Sequence, residues 1–256
     1  MKHAIRALGW ATTILWILVI LFSGTIVYSA MQIRMNFEEE PQVTTSNGML
    51  TMSIPFSINN GGFYDISELN ITTRIEAENE TVISRSTTLV PLIPRDSTVS
   101  EKHDVALSLD DILTKNLTYL LFKDTDLNLD MFVALTYAHA IPIKISSNLT
   151  MRWGAPLSNL TIGEISITPL PPYRVDIPLS FDNHAFFSLN GTMRLEIVDG
   201  SNLIGWEEVD ISVPPGYGYD DTISVPIDSV PEDRAEVHLY FDGKHLKSWS
   251  LVMAVE

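Results

Sequence analysis

Cysteine is absent from all 256 residues, which rules out disulfide staples, thiolate metal sites and cysteine nucleophiles. Basic residues are scarce: 16 Lys and Arg stand against 32 Asp and Glu, for a formal charge of −16. A surface of that sign repels phosphate backbones, so nucleic acid is excluded as a main partner and anionic headgroups are disfavoured. Catalytic signatures are missing too. No G-x-S-x-G, no H-E-x-x-H and no glycine-rich phosphate cradle occurs, so the chain reads as non-enzymatic and implies no cofactor. Extended helical periodicity is lacking beyond the first 34 residues, which argues against a bundle or a β-α-β sheet. Disorder is argued against as well, because 45% of the residues are apolar.

One long hydrophobic run is present. No charge interrupts Ala7 to Ile33, and residues 8–30 supply the roughly 20 apolar residues that a membrane span needs. Trp10, Trp16 and Tyr28 lie in or near its ends, where amphipathic rings favour the interface. Lys2 and Arg6 precede the run, whereas Arg34 is soon answered by Glu38, Glu39 and Glu40. That asymmetry predicts a cytoplasmic N-terminus, a single-pass anchor and an extracellular remainder. A signal peptide cleaved after Ser29 is the alternative, and it exports the same remainder. The expected organisation is a stub and transmembrane helix over 1–34, an acidic spacer over 35–44, and two domains over 45–156 and 157–256.

Six N-x-T sequons occur, at Asn70, Asn79, Asn116, Asn148, Asn159 and Asn190, where the thirteen asparagines would give roughly two by chance. They mark an exported chain as a glycoprotein wherever the host has the machinery. Asn79, in the polar stretch between two expected strands, is the leading acceptor.

The remainder is built as a repeat. Ile54-Pro55-Phe56-Ser57-Ile58-Asn59-Asn60-Gly61-Gly62-Phe63-Tyr64 matches Ile177-Pro178-Leu179-Ser180-Phe181-Asp182-Asn183-His184-Ala185-Phe186-Phe187 at constant offset, with five positions identical. One residue is then lost, and Ile71, Thr73 and Ile75 align with Met193, Leu195 and Ile197. Short β-branched runs separated by turn residues recur through both copies, with Asp199-Gly200 and Asp242-Gly243 as hairpin signals. This predicts an all-β protein, two tandem antiparallel fibronectin- or immunoglobulin-like sandwiches of about seven strands each. Leu109 to Lys123 is the exception, where Asp110 is a candidate cap for a short helix.

The strand ending in F-x-I-x-N-x-G-F-Y, followed by x-I-x-x-L-x-I, resembles the module of late embryogenesis abundant proteins of the second type, also called the water-stress and hypersensitive-response (WHy) domain. Asn59, Asn60 and Phe63 fill the motif places in the first copy, Asn183 and Phe186 in the second. Gly62 and His184-Ala185 replace the usual proline. Trp153-Gly154-Ala155-Pro156-Leu157 is similar to junctions in anchored prokaryotic, archaeal-like members. The resemblance implies a non-catalytic fold linked to stress tolerance, with lipid between the sheets as a proposed ligand.

Candidate chemistry is sparse. Asp124, Asp126, Asn128 and Asp130 alternate as a calcium loop does, but Leu129 replaces the required glycine, so a strand with a wet face is favoured. His238 and His245 can face each other across the Asp242-Gly243 hairpin without a third ligand. Tyr217, Tyr219, Asp220 and Asp221 form a candidate ligand loop, against the alternative of a turn whose tyrosines fold back. The favoured function is a binding or structural module that takes a surface protein, glycan or lipid as partner. The alternative is an apolar-ligand carrier with a cavity between its sheets.

Overall fold

The computed structural model describes residues 2–37, 41–46, 48–168, 170–231 and 235–251, with side chains described from Gly9 onward. Among the described residues one long helix leads into sixteen strands, with two short helices between the sixth and seventh. Helix α1 (Lys2–Ala30) contains a stretch, Gly9–Ala30, that is long and apolar enough to cross a membrane.

The first sandwich contains β1 (Ile33–Asn36), β2 (Gln42–Ser46), β3 (Met49–Asn60), β4 (Ile66–Glu76), β5 (Val82–Ile93), β6 (Ser97–Ser108), β7 (Thr125–Tyr137) and β8 (Ile141–Trp153). One sheet is β5-β4-β7-β8. In the other, β6 runs along the whole of one edge of β3, while β1 and β2 share the opposite edge, pairing with its end and its start respectively. The second sandwich repeats this arrangement with β9 (Ser158–Ile162), β10 (Ser166–Thr168), β11 (Arg174–Asp182), β12 (Leu189–Asp199), β13 (Asn202–Val213), β14 (Gly218–Pro226), β15 (Ala235–Phe241) and β16 (Lys244–Ser250). Here the sheets are β13-β12-β15-β16 and β11 flanked by β14 on one side and by β9 and β10 on the other. All pairing is antiparallel, so the protein is all-β with sandwich domains after one helix. Among the described residues each copy has eight strands, where the turn spacing suggested about seven.

The residue by which the copies differ is Glu68. It sits at φ 55 where the register of β4 against β7 slips between Ser67 and Asn70, while the pairing with β5 passes it unshifted. A β-bulge therefore absorbs the extra residue and returns Leu69, Ile71 and Ile75 to the core.

Two expectations are corrected. The segment read as a spacer over 35–44 contains the end of β1 and most of β2, so the first sandwich begins at Ile33. A twelve-residue β3 needs pairing along its whole length, and two short strands supply it. Glu38, Glu39 and Glu40 lie outside the described residues. Leu109–Lys123 forms two short helices, α2 (Leu109–Thr114) and α3 (Tyr119–Phe122). Ser108 rather than Asp110 occupies the cap position of α2, and Asp110 lies in the first turn.

The core divides within the first sandwich. Phe56, Ile58, Ile66, Leu69, Ile71, Val90, Ile93 and Tyr137 form one cluster against Ile26 and Ala30 of α1. The remaining core of the first sandwich is continuous with that of the second. Between the clusters lies a buried polar bridge. His103 on β6 reaches Thr73 on β4 through Nε2 at 2.8 Å and Thr88 on β5 through Nδ1 at 2.9 Å. Burial lowers the His103 pKa below its ordinary value, so the neutral ring is the form that fits this site.

Candidate functional site

The motif asparagines form the most specialised local structure in the chain. Asn60 and Asn183 are both fully buried. Asn183 Nδ2 donates to the carbonyls of Phe187 (2.9 Å) and Val213 (2.8 Å), and its Oδ1 accepts the Ala185 N–H at 3.0 Å. Asn60 repeats the set, with Nδ2 on Tyr64 O, Ile93 O and Pro94 O and Oδ1 accepting from Gly62 N–H. An amide suits the place because it donates twice and accepts once. Asn59 is different: it is exposed and its amide donates to Thr98 Oγ1. Each latch pins the loop after β3 or β11 to the end of β5 or β13, giving a shaped socket at one end of each sandwich.

Each socket receives whatever precedes its module. In the first, the end of α1 enters. The Phe63 N–H donates to Ser29 Oγ at 2.6 Å, and Ser29 Oγ also hydrogen-bonds the Tyr137 hydroxyl. Tyr64 OH meets Thr25 Oγ1 at 3.1 Å. Ring contacts surround these bonds: Phe22–Tyr64 at 6.1 Å, Tyr28–Phe63 at 5.9 Å and Tyr64–Tyr137 at 6.0 Å. Gly62 permits the approach, since a Cβ there would lie 2.6 Å from Ser29 Oγ and 2.9 Å from Tyr137 OH.

In the second socket, the end of the first sandwich enters. His184 N–H donates to Ala155 O at 3.0 Å. Trp153 packs against Phe186 and Phe187 at 6.2 and 5.7 Å. Gly154 plays the part of Gly62, because a side chain there would overlap the His184 carbonyl. Asp124 closes the joint, accepting the Ala155 N–H at 2.8 Å and facing His184 Nδ1 at 3.0 Å. The Ala155 amide, with His184 behind it, holds the Asp124 carboxyl below the usual carboxylate range.

Further bonds lock the modules together. Asp242, at the β15–β16 hairpin tip, accepts from Gly48 N–H (2.8 Å) in the first sandwich and from Thr192 N–H (2.9 Å) in its own. Lys244 pairs with Asp110 at 2.7 Å. An apolar cavity of about 70 Å3 lies at this joint, bounded by Leu50, Leu109, Trp153, Leu157, Phe187 and Leu246. A more open groove of about 500 Å3 runs beside it, between Pro41, Val43 and Thr45 on one side and Phe186, Asn190 and Pro215 on the other.

The calcium candidates are dispersed among separate tasks. Asp124 serves the joint. Asp130 binds Arg74 at 2.6 Å and Asn148 at 2.6 Å, and these bonds hold its carboxyl below the usual range. Leu127 faces the core, whereas Asp126 is exposed. Among the described residues no group of three or more His, Asp or Glu could hold a metal ion. The His238 and His245 rings lie 5.5 Å apart, but His238 turns to Glu236 and His245 to Ser248.

The tyrosine loop divides. Tyr219 turns inward and stacks on Phe181 at 5.3 Å, and burial raises its pKa. Tyr217 stays exposed and gives its carbonyl to Asn183 N–H, so this loop buttresses the second latch. Asp220 and Asp221 are exposed beside it. Among the sequons, Asn79, Asn116, Asn148, Asn159 and Asn190 are exposed and Asn70 is half-buried. Residue spacing alone did not reveal the roles of Ser29, Gly154, Asp124 and Asp242; the signal for each was only a small or polar residue at a module boundary.

No protein-family model matches the chain, and no curated protein matches it. A transglutaminase from red sea bream aligns over 85% of this chain and 31% of its own, at 15% identity and a TM-score of 0.31. The periplasmic chaperone SfaE aligns over 86% of this chain and all of its own, at 10% identity and a TM-score of 0.26. A beta-glucuronidase from glycoside hydrolase family 2 aligns over 82% and 24% respectively, at 11% identity and a TM-score of 0.32. The chain thus spans about a third of the transglutaminase and a quarter of the glucuronidase. Likenesses this weak carry no conclusion about function.

Proposed function

We propose that the chain is a non-catalytic, membrane-anchored mast, with two stiff sandwiches stacked head to tail on a single helix and displayed outside the cell. One observation carries the reading. The same asparagine-latched socket fixes the first sandwich to α1 and the second sandwich to the first, so each joint has a defined geometry. Flexible tethers would need neither the two close-approach glycines nor the Asp124 and Asp242 bonds.

The orientation follows from the Lys2 and Arg6 side of the helix being cytoplasmic, and the exposed sequons suit an exported, glycosylated surface. The paired latches also support the likeness to WHy modules, and with it a structural or stress-protective role. The carrier alternative is served less well. The apolar cavity of about 70 Å3 is smaller than the several hundred Å3 that ligand sites commonly enclose, and the groove of about 500 Å3 beside it is open and walled in part by the polar Thr44, Thr45, Ser188 and Asn190.

Because the chain has no cysteine, paired labels are easily placed. Thr87→Cys with Thr222→Cys, spin-labelled in nanodiscs, should give a single narrow distance distribution between the sandwiches by double electron–electron resonance. A broad distribution would remove the mast reading. Stoichiometric lipid surviving native mass spectrometry would favour the carrier instead.

A further inference from the structure

We propose that the α1-facing end of the first sandwich is itself a lipid-docking surface, with Phe63 and Tyr64 seated at the headgroup–acyl boundary beside Tyr28. This rests on reading α1 as a spanning helix.

The geometry of the overlap carries the argument. The sandwich does not begin where the apolar helix ends. Tyr64 reaches back to Phe22 and Thr25, and Phe63 stacks on Tyr28. From Phe22 to Ala30 the helix rises about 12 Å at 1.5 Å per residue, and the sandwich flanks all of that length. Were the bilayer to stop beneath the sandwich, only Gly9–Phe22 would remain to cross it. That is about 20 Å of helix for a hydrocarbon core of about 30 Å. The mismatch is relieved when lipid rises around the end of the sandwich, so that Phe63 and Tyr64 share the layer of Tyr28.

The surface there suits that layer. Phe63 remains 56% exposed and Met31 76% exposed after the helix has docked, and Leu92 is also exposed. Phe63 presents an aromatic ring and Tyr64 a ring with a hydroxyl, the chemistry favoured at membrane interfaces. Charge is close to balance locally although the chain carries −16. Among the described residues of this end, Arg34 and Arg95 stand against Asp65, Glu68 and Asp96; Asp65 is occupied by the Arg95 N–H (2.8 Å) and by His139 (3.6 Å), and Glu68 accepts from the Thr136 hydroxyl. The repulsion that would keep the rest of the molecule off a phospholipid surface is thereby relieved at the one end that must approach it. In both sockets the equivalent aromatic has a ring neighbour and stays partly exposed, Phe186 against Trp153 and Phe63 against Tyr28. Only in the first socket does the exposed ring lie beside the apolar helix, where lipid would meet it.

Single cysteines test this in the full chain. Phe63→Cys, Ile17→Cys and Tyr217→Cys are each spin-labelled in phosphatidylcholine vesicles, and power saturation compares access to oxygen and to a water-soluble nickel chelate. Position 17 should be lipidic and position 217 aqueous. Position 63 should fall between them, with at least a threefold lower nickel accessibility than 217. A label at 63 as accessible as that at 217, with 17 lipidic, overturns the docking surface alone. An aqueous label at 17 overturns the spanning helix, and the docking surface with it.

Discussion

Replacing Asn183 with alanine is the sharpest probe of this fold. The side chain is fully buried, and it serves three main-chain groups: Phe187 O, Val213 O and Ala185 N–H. Truncation leaves all three without their partner in a site closed to solvent. Each orphaned group costs about 1–3 kcal/mol, and relaxation or an entering water recovers part of the total. We therefore expect a loss of about 3–6 kcal/mol from the second sandwich. For a module of about 100 residues, each kcal/mol lowers the midpoint by about 4–8 °C, so the second module should melt at least 12 °C lower. Asn183→Asp should fare no better, because a carboxylate cannot donate to two carbonyls. Asn59→Ala supplies the control: its neighbour in sequence is a latch, but the Asn59 side chain is exposed and, among the described residues, bonds only Thr98. It should cost less than about 1 kcal/mol. Differential scanning calorimetry of the full chain in nanodiscs reads all three variants. A loss below about 1 kcal/mol for Asn183→Ala, or equal losses for Asn59→Ala and Asn183→Ala, would refute the latch argument.

Stability should fall with acid through His103. Its pKa drops on folding from 6.5 because burial disfavours the charged ring, so the contribution is complete above pH 6.5 and is lost as pH descends toward the folded value. Urea midpoints measured from pH 8 to pH 5 should show that slope, and His103→Gln should flatten it. Gly154→Val should force the Ala155–His184 joint apart and broaden the inter-module distance distribution while leaving each sandwich's circular dichroism intact; an unchanged distribution would count against the close fit. Asp242→Ala should cost about 2–4 kcal/mol by freeing two part-buried backbone N–H groups at about 1–3 kcal/mol each, less what water recovers, whereas Lys244→Ala, which breaks a half-exposed pair, should cost under about 1 kcal/mol. Glycopeptide mapping from a host with the machinery should find Asn79 occupied; an unmodified Asn79 peptide beside a modified Asn70 would contradict the reading from exposure.

Much of this architecture is carried by local patterns. The uncharged run through α1 marks a helix long and apolar enough to cross a membrane, because charge in hydrocarbon is costly. Alternating apolar residues bounded by Asn, Asp and Gly turns define strands, and the matched segments at Ile54 and Ile177 define a repeat, because side-chain period and turn chemistry act within a few residues. Even the single-residue offset between copies was visible before Glu68 was seen as a bulge. Tertiary structure alone decided what the motif residues are for. Asn60 and Asn59 look equivalent in the chain, yet one is buried against three carbonyls and the other faces water. Asp124 looked like the first member of a calcium loop, yet it meets an amide and a histidine from beyond the module boundary. Ser29, Gly62, Gly154 and Asp242 acquire their roles only when segments distant in sequence come within hydrogen-bonding or contact range, and no local pattern encodes that distance.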